Sequence, residues 1–193
     1  MILPIVAYGH PVLREVCEEI EPDYPGLQKL IDDMWETMYS SNGVGLAAPQ
    51  VNKPIRIFVV DSTQILEGLE EEERKQYADD PGLKEVFINA HIIEFEGEDW
   101  KYNEGCLSIP KIREDISRPE MIGIAYMNEH FEPRKRMFSG ITARVIQHEY
   151  DHIEGKLFID HITPLKRKLM RGKLDDISKG KISVDYKMLF PKK

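Results

Sequence analysis

A helix whose inward face is partly polar is hard to place in any fold, and this chain carries one near residue 150. Ser139-Gly140 can cap it and Gly155 can stop it, while Ile141, Val145, His148 and His152 run along one face between them. Two of those four side chains are imidazoles one turn apart, the spacing at which a helix can grip one metal ion. Glu149 lies between them in sequence, close enough to reach a water on that metal. A helix with inward histidines needs strands to cover it. The expected architecture is therefore α+β, with antiparallel or mixed sheets wrapped around this central helix.

A pair this short arises by chance, and its third ligand must come from elsewhere. There are two cysteines, Cys17 and Cys106, far apart in sequence, which points away from a disulfide framework and leaves a single thiolate as ligand or nucleophile. Cys17 sits among Glu15, Glu18 and Glu19, where negative charge disfavours a thiolate, so it reads as structural. Cys106 lies in Tyr102-Asn103-Glu104-Gly105-Cys106-Leu107-Ser108-Ile109-Pro110, where glycine leaves room at the sulfur.

The length of 193 residues is that of one domain, expected to span 1–193. Met1-Ile2-Leu3-Pro4-Ile5-Val6 shows neither a cationic leader nor a long apolar run, so a cytoplasmic protein without a membrane span is expected. A net charge of −8 argues against broad nucleic-acid affinity. The charge is uneven. Residues 160–193 hold ten Lys or Arg against four Asp and form a basic C-terminal extension, a candidate docking surface.

Leu27, Leu30, Ile31, Met34 and Met38 recur at helical spacing, predicting an amphipathic helix. Gly43-Val44-Gly45-Leu46-Ala47-Ala48-Pro49-Gln50 loosely fits a dinucleotide-binding turn, but a helix precedes it and no crossover helix fits before the strand Ile55–Val60. The remaining reading is a tight loop that lets backbone approach a ligand, with the Gln50 amide as donor. Residues 62–84, rich in Glu, read as a solvated acidic surface insertion. A strand over Val86–Glu96 follows, then a hairpin from Met121–Asn128 to Arg134–Phe138. Thr163 and Pro164 start a last helix expected to bury Leu165, Leu169 and Leu174, with Lys166, Arg167, Lys168, Arg171 and Lys173 in water. From Gly180 on, a strand and a loose basic end are expected.

The glycine loop 43–50, Glu104-Gly105-Cys106-Leu107-Ser108 and His148-Glu149-Tyr150-Asp151-His152, in this order and spacing, resemble the three motifs of the peptide deformylase family, and the likeness spans about residues 5 to 165. The resemblance implies a metal-dependent hydrolase that removes the formyl group from the formyl-methionine of nascent polypeptides. It implies Cys106, His148 and His152 as metal ligands, Glu149 as acid/base, Gln50 and the Leu107 N–H as oxyanion donors, and Gly45 within the catalytic loop. The metal implied is Fe2+, with Zn2+, Ni2+ or Co2+ able to replace it. Two His and one Cys leave the fourth tetrahedral position open for water, as hydrolysis requires. Val44, Tyr102, Ile141 and Val145 are the candidates for the methionine pocket, Arg144 is expected towards solvent, and Asp151 as structural support. The basic helix Lys166–Lys173 is a candidate for ribosome docking.

Two rivals share these residues. A zinc endopeptidase would take its third ligand from Glu154 or His161 and leave Cys106 unexplained. A ribosome-associated binding protein would keep the metal for structure alone.

Overall fold

The computed structural model describes residues 1–191. In chain order its elements are β1 (Ile5–Val6), α1 (Leu27–Ser40), β2 (Gly45–Ala47), β3 (Ile57–Asp61), α2 (Thr63–Glu67), α3 (Glu71–Lys75), β4 (Lys84–Cys106), β5 (Ile109–Met127), β6 (Pro133–Ser139), α4 (Gly140–Ile153), α5 (Pro164–Leu169), α6 (Arg171–Ser178) and β7 (Met188–Leu189). Strands β2-β3-β4-β5-β6 form one antiparallel sheet in that order, and β1 pairs with β7 in a small parallel sheet. The expected α+β class is the one observed.

Helix α4 packs against β2, β3, β5 and β6. Its residues Ile141, Ala143, Ile146 and Ile153 are buried with Phe58, Phe87, Ile122 and Ile124 of the sheet, each isoleucine and phenylalanine contributing on the order of 1.5–3 kcal/mol by leaving water. The strands expected over 86–96 and 121–128 are pieces of β4 and β5, a far longer hairpin. Register shifts between Ile88 and His91, Ile92 and Glu94, and Glu96 and Asp99 bend it and break the alternation that would have announced its length. At its far end Cys106 pairs with Ile109, so Leu107 and Ser108 form a tight turn and Cys106 sits on the last rung.

Residues 62–84 are not merely a solvated insertion. Leu66 and Asp80 are buried, and the Asp80 carboxylate accepts from Thr142 N (2.8 Å) and Thr142 Oγ1 (2.6 Å) in the first turn of α4. Ser139, the expected cap, makes no side-chain bond there. The orphan amides at a helix start need an acceptor, and an acid from the insertion supplies it.

The C-terminal helix also departs from expectation. It breaks at Met170 into α5 and α6, and the inward face becomes Met170, Leu174 and Ile177, leaving Leu165 and Leu169 exposed. The strand expected after Gly180 is β7, and residues 187–189 are tied to the start of the chain, where Ile5 N donates to Lys187 O and Ala7 N to Leu189 O, both at 2.8 Å. Lys192 and Lys193, part of the basic extension, lie outside the described residues.

Candidate metal centre

The turn at the end of the β4–β5 hairpin brings Cys106 over α4. Its Sγ is 3.3 Å from His152 Nε2, and the ligand atoms of Cys106, His148 and His152 all lie within 4.8 Å of one another. A tetrahedral ion with metal–sulfur and metal–nitrogen bonds of ordinary length needs its donors roughly 3.3–3.6 Å apart, so the set is close to a metal's requirement. The chemistry of the donors also fits, since one thiolate and two imidazoles bind zinc and related transition ions.

Each histidine is aimed by its surroundings. His148 Nδ1 meets Glu104 Oε2 at 2.9 Å, which leaves Nε2 as the nitrogen free to ligate. His152 turns Nε2 towards Cys106, and its buried Nδ1 has no partner among the described residues. Phe158 flanks the His148 ring with 6.0 Å between centroids.

Glu104 is the anchor behind His148. It accepts from Arg118 Nε at 2.8 Å, Arg118 Nη2 at 3.0 Å and Arg144 Nη1 at 3.1 Å. Arg118 also reaches Asp151 Oδ2 at 2.7 Å, and His161 Nε2 meets the same oxygen at 2.7 Å. The Asp151 reading as structural support therefore agrees with its contacts. Arg144 was expected towards solvent and is instead 1% exposed. It stands one turn before His148 on the same face, where Glu104 and the carbonyls of Ile116 (3.0 Å) and Trp100 (2.6 Å) replace its water.

The electrostatics separate two buried carboxyls. Burial pushes Glu104 up, but the hydrogen bonds from His148 and Arg118 outweigh it and hold Glu104 well below the usual range. Glu149 has no such partners. Burial raises it to about 7 against the opposing pull of His148 and His152, and its Oε2 is unpaired among the described residues. Burial also pushes the Cys106 thiol up, yet the His152 and His148 imidazoles overcome this and bring it down to about 5, into the thiolate form a metal takes.

The glycine loop forms the opposite wall. Gln50 accepts from Ala47 N through Oε1 at 2.8 Å, which leaves Nε2 facing Ser108 Oγ at 3.3 Å and Cys106 Sγ at 3.5 Å. Leu107 follows in the hairpin turn and lines the same cleft. Gly45, expected in the catalytic loop, lies directly against Glu149: a Cβ there would be 2.4 Å from Glu149 Oε1. Only a hydrogen fits between β2 and that carboxylate.

A cleft of about 690 Å³ opens over the site. Val44, Tyr102 and Val145 line it, as expected, whereas Ile141 is fully buried in the core one turn below and takes no part. Sequence reasoning missed Ser183–Tyr186, which form part of the cleft wall. No local signal singled them out. The endopeptidase reading loses its ligands here, because Glu154 pairs with Arg56 (2.7 Å) and His161 with Asp151. Among the described residues no helix is long and apolar enough to cross a membrane.

Residues 2–168 match the family described as polypeptide deformylase. The chain is 54% identical over 193 residues to a peptide deformylase of Christiangramia forsetii, covering 99% of this chain and 97% of the relative. It is 54% identical over 192 residues to one of Flavobacterium johnsoniae, covering 98% and 96%. Among solved structures, a peptide deformylase from Legionella pneumophila superposes with a TM-score of 0.77 at 32% identity, covering 94% of this chain and 98% of that one. A Met-Ala-Ser-bound peptide deformylase from Acinetobacter baumannii gives 0.72 at 33% identity, covering 84% and 99%.

Proposed function

We propose, from the premise that this chain belongs to the polypeptide deformylase family and is a peptide deformylase, that Cys106, His148 and His152 hold its metal and Glu149 moves its proton. The reaction is hydrolysis of the N-terminal formyl group of nascent polypeptides, releasing formate. The observation that carries the assignment of roles is the convergence of the thiolate, two imidazoles and an unpaired carboxyl on one cleft.

A divalent ion bound there would acidify a water and polarise the formyl carbonyl. Glu149, held near 7 by burial, is suited to accept the water's proton and deliver it to the departing amine. The Gln50 Nε2 amide and the Leu107 N–H stand beside Cys106, where they can donate to the oxygen that gains charge, a contribution of about 3 kcal/mol per donor in comparable sites. Glu104 keeps His148 in its ligating orientation, and Gly45 keeps the space beside Glu149 open. Val44, Tyr102 and Val145 offer apolar wall to the methionine side chain.

Fe2+ is the native ion, with Zn2+, Ni2+ or Co2+ as substitutes, since this donor set accepts all of them. Residues 1–193 act as one catalytic unit in the cytoplasm on formyl-methionyl chains. The exposed Lys166, Arg167, Lys168, Arg171 and Lys173 dock on ribosomal RNA.

Formate release from formyl-Met-Ala-Ser tests the roles. Glu149→Gln should abolish it while the metal, measured by elemental analysis after anaerobic purification, stays bound. Cys106→Ala should lose the metal itself. A Glu149→Gln enzyme of normal activity would remove Glu149 from the mechanism.

A further inference from the structure

The Leu107–Ser108 turn carries its two carbonyls outside the β4–β5 ladder, and the two ends of the chain take them. Tyr186 OH donates to Leu107 O at 2.8 Å, and Tyr8 N donates to Ser108 O at 2.9 Å. Those ends are themselves joined, because β1 and β7 pair immediately beside Tyr8 and Tyr186. The residues 183–186 thus form a strap that is anchored at β7 and lies along the cleft wall. It sits beyond residue 168, where the family match ends.

The Tyr186 phenol O–H is a donor at ordinary pH, and Leu107 O is the acceptor it meets. The Leu107 carbonyl lies outside the strand ladder, so its direction is held by the donor that reaches it. Leu107 is the residue whose N–H would face the oxyanion, and Tyr186 grips the carbonyl on the other side of the same Cα.

We propose that Tyr186 is a positioning residue for the reaction: its hydrogen bond to Leu107 O fixes the orientation of the Leu107 N–H towards the reacting carbonyl. This rests on the Leu107 donor role proposed above. A donor of this kind acts mainly on the transition state, so its misalignment lowers kcat and leaves substrate binding nearly untouched.

The test is steady-state kinetics on formyl-Met-Ala-Ser with metal-loaded Tyr186→Phe, which keeps the ring and removes the donor. The expected result is a fall of about tenfold in kcat with KM within about twofold, at unchanged metal content and Tm. An unchanged kcat overturns the proposal, and so does a rise in KM alone, which would make the strap a simple binding wall. A kcat loss matched by loss of metal or Tm also overturns it. Leu107→Pro reports on the underlying donor separately, because Leu107 is at negative φ in the first turn position, where proline fits but has no N–H. If Leu107→Pro keeps full kcat, the donor role falls whatever Tyr186→Phe does.

Discussion

Gly45→Ala should silence the enzyme without unfolding it. The added Cβ would lie 2.4 Å from Glu149 Oε1 and 2.7 Å from its Cδ and Cγ. Comfortable contact needs roughly 3.5 Å, so the Glu149 side chain must retreat by about 1 Å. A displacement of that size at a proton-transfer group costs about 10²-fold in rate, or about 2.7 kcal/mol of transition-state stabilisation. Stability should change little. Gly45 is in β2 without a left-handed φ, so the backbone accepts alanine, and the ~0.4–1 kcal/mol gained from the unfolded state offsets part of the ~1–3 kcal/mol cost of displacing the buried Glu149 side chain. The assay is formate release from formyl-Met-Ala-Ser alongside Tm and metal content, both expected at or near their original values. Shortening the acid in Gly45→Ala/Glu149→Asp should recover part of the loss relative to Glu149→Asp alone, the coupling that a steric cause demands. Full activity in Gly45→Ala at normal metal content would refute the steric argument and the demand on Glu149's position.

Asp80→Ala removes both bonds to Thr142 and should cost about 2 kcal/mol in urea unfolding, with little change if the cap is incidental. Arg118→Met strips Glu104 and Asp151 of the guanidinium they share and should destabilise by about 3 kcal/mol or more, a lowered midpoint being the check. In chelated protein at pH 8, iodoacetamide should label Cys106, whose thiol is held at about 5, and spare Cys17, which burial pushes up to about 12. Labelling of Cys106 should stay flat from about pH 7 to pH 9, and a mass shift of two adducts would contradict the assignment.

What the sequence disclosed follows from the range of its signals. His148, Glu149 and His152 share one helix, and a period of 3.6 residues places them without knowledge of the fold. Cys106 ends β4 and Gln50 follows β2, so no spacing rule joins them to the helix, and only the resemblance did. Arg144 misled because an arginine on a helix normally keeps its head in water; the acid that draws it inward, Glu104, lies on β4. Asp80 was hidden by its company. In a stretch dense with acids, composition reads as solvation, and nothing local marks the one carboxylate that turns in to cap α4. The strap at 183–186 left no trace at all, since its importance comes from where β7 docks.

The two carboxyls of the site show why the network behind His148 is worth burying. Glu104 faces two guanidiniums and an imidazole, and Arg118 shares its charge with Asp151, so this cluster of acids and bases is nearly balanced. A balanced cluster projects little field, yet each bond in it has a direction, and the sum holds one imidazole still. Glu149 is buried to a similar degree but left without a cation of its own, and the same desolvation that Glu104's partners overcome lifts it to about 7. Burial therefore gives opposite results at two glutamates, depending only on what is buried beside them. Glu104 is kept charged and immobile, a support that should not titrate during turnover. Glu149 is raised towards neutrality by its burial, the kind of environment that the base-then-acid role proposed for it calls for. Exchanging their surroundings would undo both roles. A cation placed beside Glu149 would lower its pKa and weaken the acid half of the role proposed for it, and the loss of Arg118 would let burial raise Glu104 towards protonation.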